Sequence, residues 1–186
     1  MTASVSPLHT DHPEVADMQR IFDLQKTTFR LRPSTTASER LALLDNLKTV
    51  LIKYQDQIAQ AIAEDFGHRS HHETKFAEIL TSIENIKYYS KNLRSWMQPD
   101  KRHINPTHLP AKAWVQYQPL GVVGIITPWN YPLLLAISPL ICALAAGNRA
   151  MIKMSSFTPK TGTIVKKALA EAFNEDQVAV ITGGGI

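Results

Sequence analysis

The chain has 186 residues, of which 44% are hydrophobic and 19% are charged, a balance typical of a globular protein and not of a disordered or fibrous one. The formal net charge of +4 raises the hypothesis of a nucleic-acid partner. The basic residues, however, are scattered among acids, and no basic run is interleaved with aromatic residues, so we expect no nucleic-acid binding.

The N-terminal residues and the cysteine content bear on location. Residues 1–15 are polar and lack the apolar centre of a secretory signal. The longest apolar stretch, residues 133–146, is shorter than the roughly 20 residues that cross a bilayer, and a proline interrupts it. Cys142 is the single cysteine, so no disulfide can form within the chain. We therefore expect a soluble, cytoplasmic protein without membrane contact.

The first half of the chain is predicted to be helical, after a flexible arm over residues 1–13. Helices are predicted from residue 14, and together they form a helical layer over residues 14–98. Thr36 and Glu39 have the spacing of a capping box that opens the second helix, and Gly67 ends it. Ser70 and Glu73 have the same spacing and are expected to open a third helix. Its predicted buried face consists of Phe76, Ile79, Leu80, Ile83, Ile86, Leu93 and Met97.

The second half changes character. Residues 99–119 are predicted to form an irregular connector that includes a bridging or oligomerisation strand at residues 114–118. Apolar strands are then predicted at residues 121–127, 150–154 and 177–181, with helices at 133–146 and 159–173 between them. This alternation is typical of an α/β fold, here half of a doubly wound parallel, Rossmann-like sheet over residues 120–186. Because the chain stops in a glycine run directly after the third strand, we interpret it as truncated.

Ligands of doubly wound sheets bind beyond the carboxyl ends of the strands. Those ends are predicted at residues 127–130, 153–156 and 182–185. We therefore expect any chemistry to lie along this edge.

A specific resemblance begins at the first of these ends. The run from Pro119 to Pro132 reads PLGVVGIITPWNYP, and it is followed in register by Pro139-Leu140, by the segment AAGN at residues 145–148, and by Lys153. This ordered set resembles the aldehyde dehydrogenase superfamily. Asp65-Phe66-Gly67 and Glu78-Ile79 resemble it as well, and the details lean toward the coniferyl aldehyde branch.

The resemblance implies a catalytic role for Asn130. In the family, the asparagine of the Trp-Asn-Tyr-Pro motif donates its side-chain amide to the aldehyde oxygen, which becomes an oxyanion when a thiolate attacks. From spacing alone, Asn130 could instead cap the helix that begins at Pro132. Both roles could hold together.

The resemblance also implies a nicotinamide cofactor, NAD or NADP. The lysine that matches Lys153 hydrogen-bonds the adenosine ribose in the family, although a lysine at a strand end could also simply extend into solvent. The family often continues with Pro-Ser-Glu, whereas this chain has Met154, Ser155 and Ser156. Because Ser156 replaces a carboxylate that would repel a 2′-phosphate, we expect NADP to be tolerated. Further cofactor contacts are expected from the strand end before Asn130, namely Ile126, Thr127, Pro128 and Trp129.

Two other features could suggest sites. His68, His71 and His72 beside Glu73 suggest a metal, but adjacent histidines diverge by about 100° on a helix, so we expect none. Cys142 suggests the thiolate nucleophile of the family. It lies within an apolar helix without a nearby base, which predicts an inert core residue.

The sequence thus predicts the N-terminal portion of an NAD(P)-dependent aldehyde dehydrogenase that oxidises an aldehyde to a carboxylic acid. The family's catalytic cysteine and glutamate lie outside these residues, so the fragment alone is expected to be inactive, and the complete enzyme is expected to be a homodimer or larger homo-oligomer. An acyl reductase of the same superfamily and a non-catalytic nucleotide-binding or assembly module are the alternatives.

Overall fold

The computed structural model describes residues 13–183. Most of the predicted N-terminal arm and the glycines at 184 and 185 therefore lie outside the described residues. None of the helices within this range is both long enough and apolar enough to span a membrane.

The N-terminal layer is helical, as predicted. Helix α1 covers Pro13–Leu31 and α2 covers Ala37–Phe66. The Thr36 hydroxyl accepts from the Glu39 amide while the Glu39 carboxylate accepts from the Thr36 amide, which confirms the first capping box. Gly67 ends α2 with a left-handed φ of 78°.

A continuous helical segment follows, but it is not uniform. It consists of α3 at His71–Thr74, a π-helical turn at Lys75–Leu80 and α4 at Thr81–Trp96. The second predicted capping box is wrong. Ser70 does cap the helix, but its hydroxyl accepts from the His72 amide, and neither of the two bonds that a capping box makes between Ser70 and Glu73 is present.

The π-helical turn overturns part of the predicted buried face. A π turn contains more residues than an α turn, so it shifts the phase of a stripe with a period of 3.6 residues. Phe76 and Leu80 consequently face solvent at 73% and 44% exposure, whereas Glu78 is fully buried. Ile79, Ile86 and Leu93 remain in the core as predicted.

The connector is more regular than predicted. Strand β1 at Asp100–Arg102 pairs antiparallel with β2 at Ala113–Val115, and a short 3₁₀ turn at Pro106–His108 lies between them. The strand predicted at residues 114–118 therefore exists, but it is shorter and starts one residue earlier.

The α/β half has the predicted architecture. Strands β3 at Val122–Ile126, β4 at Arg149–Lys153 and β5 at Val178–Ile181 form a parallel sheet in the order β3-β4-β5. Helices α5 at Leu134–Ala146 and α6 at Pro159–Ala172 connect them. Gly147 ends α5 with a φ of 85°, the left-handed cap that its position predicts.

Helices cover both faces of this sheet. Alternate strand residues such as Ile152 and Val180 join one large core with α2, α4, α5 and α6. On the opposite face, Ile21 of α1 packs against Ala179 and Ile181. The helical layer and the sheet thus share one core, and the division at residues 14–98, 99–119 and 120–186 stays a prediction.

Candidate cofactor and oxyanion site

The carboxyl ends of the three strands meet at one edge. The Thr127 amide donates to the Lys153 carbonyl at 3.0 Å, and the Met154 amide donates to the Ile181 carbonyl at 2.9 Å. The Thr127 hydroxyl also donates to the Lys153 carbonyl at 3.1 Å. Parallel pairing therefore brings together the segments that begin at Thr127, Lys153 and Thr182.

Lys153 bridges the second and third strand ends. Its ammonium donates to the Met154 carbonyl at 2.9 Å and to the Gly183 carbonyl at 2.8 Å. An ammonium group has three N–H donors, so these two bonds leave one for another acceptor. The side chain is half-buried and held in place; it does not extend freely into solvent.

The two serines follow Lys153 at the same edge. The Ser155 hydroxyl oxygen accepts from the Phe157 amide at 3.2 Å, which leaves its proton available for donation. Ser156 is exposed. This donor set suits ribose or phosphate oxygens, and it contains no carboxylate from residues 153–157.

The segment from Thr127 to Pro132, named here the Asn130 loop, extends from the end of β3. Ile126 is 86% exposed and Trp129 is 54% exposed, so both offer apolar surface beside the strand ends. Thr127 is buried, whereas Pro128 and Asn130 are exposed. Exposed apolar side chains thus lie next to the polar groups of Lys153 and the serines, an arrangement that suits a ligand with flat rings and hydroxyl or phosphate groups.

Asn130 does not cap α5. Although the spacing allows that role, the start of α5 has no capping side chain from its own preceding turn. Instead, one carboxylate oxygen of Glu78 accepts from the Leu133 and Leu134 amides at 2.9 and 3.0 Å. The capping interpretation is therefore wrong, and the Asn130 amide is not engaged at this helix terminus.

Glu78 was missed as a site residue because it is 52 residues upstream of Asn130 and lies on a predicted amphipathic helix. Its burial raises its pKa, while the two amide donors and Arg69 oppose that rise. The Arg69 guanidinium lies 3.3 Å from the other Glu78 oxygen. The one available signal was the resemblance of Glu78-Ile79 to the family.

A second carboxylate caps α6 in the same manner. Asp65, at the end of α2, accepts from the amides of Lys160 and Thr161 at 3.1 and 2.8 Å, and from the Thr161 hydroxyl at 2.7 Å. Negative charge is favourable at a helix N-terminus, where backbone N–H groups lack partners. The helices that follow β3 and β4 are thus both capped from the N-terminal layer.

Cys142 is not the core residue that the sequence predicts. It is exposed, and its Sγ atom lies 2.9 Å from the Tyr89 hydroxyl. That contact and partial burial raise the pKa of Tyr89 to about 12. Cys142 lines a groove of about 600 Å³ with Leu93, Trp96 and Ala145, near the C-terminal end of α5 and away from Asn130. It thus has no place at the strand edge.

The histidines beside Glu73 do not assemble a site. His71 and His72 are both exposed in α3. Across residues 13–183, no three His, Cys, Asp or Glu side chains gather in a way that could hold a metal ion.

The fold and the edge together define an α/β protein. Its helical layer packs on a parallel sheet, and the carboxyl ends of the strands form an edge of the kind that binds ligands in such folds. The aldehyde dehydrogenase family model matches residues 8–186. The chain therefore belongs to the aldehyde dehydrogenase family.

Similar proteins agree with this assignment. A probable coniferyl aldehyde dehydrogenase of Pseudomonas aeruginosa is 45% identical over 98% of this chain, and one of Caulobacter vibrioides is 41% identical over 99%. The chain spans 38% of the length of each. The substrate-bound structure of Staphylococcus aureus AldH superposes with a TM-score of 0.86 at 31% identity, over 90% of this chain and 36% of that one.

A cofactor complex is also among the similar structures. PnpE in complex with nicotinamide adenine dinucleotide superposes with a TM-score of 0.78 at 26% identity. The superposition covers 91% of this chain and 34% of PnpE.

Proposed function

We propose that this chain provides the cofactor edge and the oxyanion-stabilising amide of an NAD(P)-dependent aldehyde dehydrogenase, which oxidises an aldehyde to the carboxylic acid. The observation that carries the proposal is the position of Asn130. Asn130 lies on the loop that leaves β3, three residues after Thr127, whose amide donates to the Lys153 carbonyl. Glu78, and not Asn130, caps α5.

Asn130 stabilises the charge that develops on the aldehyde oxygen during nucleophilic attack. An amide that is already in place pays no reorganisation cost at that moment, and such donors contribute roughly 3 kcal/mol to transition-state stabilisation. A nicotinamide bound at the edge supplies the acceptor for the hydride. The attacking thiolate is the family's cysteine and not Cys142, which lies in a separate groove.

The cofactor site consists of one cation, two hydroxyls and an apolar wall. Lys153 donates its remaining N–H to a ribose hydroxyl or a phosphate of the cofactor. Ser155 and Ser156 contact the same ribose or phosphate. The wall that faces the rings of the cofactor consists of Ile126, Thr127, Pro128 and Trp129. Because no carboxylate follows Lys153 within residues 153–157, NADP is accepted as well as NAD.

The substrate class follows from the relatives. Two proteins that are 41% and 45% identical to this chain are named probable coniferyl aldehyde dehydrogenases, so we propose an aromatic aldehyde of the coniferyl type. We also propose a cytoplasmic homo-oligomer in which β2 and the residues after it act as the bridging strand. Residues 14–98 then form a helical layer and residues 120–186 the first half of the dinucleotide-binding domain.

Cofactor titration with a matched pair of lysine variants tests this proposal. Lys153→Met removes the edge cation, whereas Lys166→Met removes an exposed lysine of α6. We expect NAD and NADP to bind the chain in isothermal titration calorimetry, and Lys153→Met to weaken both at least about tenfold, the equivalent of about 1.4 kcal/mol. Equal affinities for the two variants would refute the role of Lys153, and no binding to the unchanged chain would refute the cofactor site.

Cofactor choice is tested at Ser156. Ser156→Glu places a carboxylate where a 2′-phosphate would lie, so we expect the variant to discriminate against NADP while the unchanged chain binds both. A preference of the unchanged chain for NAD above about a hundredfold, some 2.7 kcal/mol, would contradict the proposal.

A further inference from the structure

The Asn130 loop is held at both of its ends. At its start, the amide and hydroxyl of Thr127 both donate to the Lys153 carbonyl. At its end, the Leu133 and Leu134 amides donate to Glu78. Pro132 has no N–H, so Leu133 provides the first backbone donor after the loop.

Arg69 connects Glu78 to the aromatic residues of the loop. Its guanidinium carbon lies 4.8 Å from the centre of the Tyr131 ring and 4.3 Å from that of Phe66. The ring centres of Phe66 and Trp129 are 6.1 Å apart. Phe66, Arg69 and Glu78, named here the loop clamp, therefore contact the residues on both sides of Asn130.

The π-helical turn is what places Glu78 in this position. The turn spans Lys75–Leu80, and the Thr81 hydroxyl donates to the Phe76 carbonyl five residues earlier. The Ser82 hydroxyl donates to the Glu78 carbonyl at 2.6 Å. Single π turns are rare and occur often at functional sites. Here the turn directs a carboxylate inward and leaves Phe76 in solvent.

We propose that Glu78 is a positioning residue, which acts through the loop clamp to fix the orientation of the Asn130 amide toward the aldehyde oxygen. This inference rests on the proposed function of Asn130. Glu78 itself contacts the backbone of α5 and Arg69, so its effect on the reaction is indirect.

A structural alternative exists for Glu78, namely that it only stabilises the fold. A buried carboxylate paired with a cation costs stability when one partner is removed, whatever the site does. The decisive readout must therefore come from the Asn130 side chain itself, and it must be compared with a carboxylate of the same kind elsewhere. Asp65 is that control, because it caps α6 as Glu78 caps α5.

The experiment is NMR spectroscopy of the ¹⁵N-labelled chain, with the Asn130 side-chain amide identified by its loss in Asn130→Ala. We expect Glu78→Gln to shift the resonances of the Asn130 side-chain amide and to increase the mobility of that amide. The same substitution should speed hydrogen exchange of the Leu133 and Leu134 backbone amides by about tenfold or more. Asp65→Asn should change the Lys160 and Thr161 amides and leave Asn130 unchanged. Unchanged Asn130 resonances in Glu78→Gln, or equal changes in both variants, would overturn the proposal.

A pH titration provides a second test, and its main measurement uses the unaltered chain. The charged groups that face Glu78 are Arg69 and Glu73. The Asn130, Leu133 and Leu134 resonances should shift together in one transition, which Glu73→Gln retains and Glu78→Gln loses. An Asn130 resonance that ignores this transition would refute the coupling. None of these readouts uses a cofactor or an aldehyde, so a failed cofactor titration would remove the proposed function while leaving the clamp measurable.

Discussion

Gly147 offers the sharpest quantitative prediction, because a second glycine in the same chain provides its control. Gly147 ends α5 with a φ of 85°, and its amide donates to the Leu144 carbonyl at 3.0 Å. Gly67 ends α2 with a similar φ of 78°. Replacing either residue with alanine places an L side chain in the left-handed region, which costs about 1–2 kcal/mol.

The two positions differ in what the new methyl group would meet. At Gly67 nothing lies within 4 Å of the added Cβ. At Gly147 the added Cβ would lie 2.7 Å from Cζ and 2.8 Å from Nη2 of Arg40. The Arg40 side chain is buried, and its guanidinium donates to the Ala145 carbonyl and the Thr35 hydroxyl, both at 3.0 Å.

Arg40 must therefore move, and we expect this movement to break at least one of its hydrogen bonds. A hydrogen bond from a charged group contributes about 1.5–3 kcal/mol, so Gly147→Ala should lose about 3 kcal/mol in total. Gly67→Ala should lose only about 1 kcal/mol. Urea unfolding followed by circular dichroism measures both free energies of unfolding.

A third variant separates the contact from the backbone strain. In an Arg40→Met background, Gly147→Ala should cost no more than Gly67→Ala, because the guanidinium is gone. Equal losses of stability for Gly147→Ala and Gly67→Ala in the unaltered background would show that Arg40 does not oppose the added methyl group.

Three further predictions concern Asn148, Glu78 and Cys142. The side-chain oxygen Oδ1 of the buried Asn148 accepts from the Leu120 and Gly121 amides at 2.7 and 3.0 Å. Asn148→Ala should therefore cost about 1–3 kcal/mol in urea unfolding, and a loss near zero would contradict this. Burial raises the pKa of Glu78. Between the unfolded pKa of about 4.3 and the higher pKa of the folded state, the folded chain therefore retains a proton that the unfolded chain has released. The stability that this group contributes falls as the pH rises through that window. The free energy of unfolding of the unaltered chain, measured relative to that of Glu78→Gln, should therefore increase as the pH is lowered from neutral toward about 4.3. A difference between the two chains that does not change with pH would contradict this prediction. Cys142 is exposed, so iodoacetamide should modify the folded chain without denaturant, and mass spectrometry showing modification only in urea would restore the core interpretation.

Much of the fold is encoded locally and was therefore predictable. Continuous apolar runs predicted the three parallel strands, and glycines at positions that require a left-handed φ predicted the ends of α2 and α5. The side chains that complete the Thr36 cap lie within three residues of each other, so spacing alone revealed it. The strand edge followed from topology, because parallel strands bring their carboxyl ends together.

The remainder depends on contacts between distant residues. The π turn cannot be distinguished from α-helix by a period of 3.6 residues, so Phe76 and Leu80 were predicted to face the core. The spacing allows Asn130 as a cap because a sequence pattern relates only residues that are near each other in the chain. The carboxylate that caps α5 belongs to Glu78, which lies 55 residues before Leu133. Cys142 has apolar neighbours in sequence, but one side of α5 faces an open groove.

The edge formed by the Asn130 loop and the Lys153 segment is the proposed binding site of a nicotinamide dinucleotide. Chemical-shift mapping tests it most directly, by adding NADP to the ¹⁵N-labelled chain and locating the backbone amides that move. We expect saturable shifts of Thr127, Trp129 and Asn130 and of residues 153–156. Shifts confined to the groove beside Cys142, or no shifts at millimolar cofactor, would contradict it.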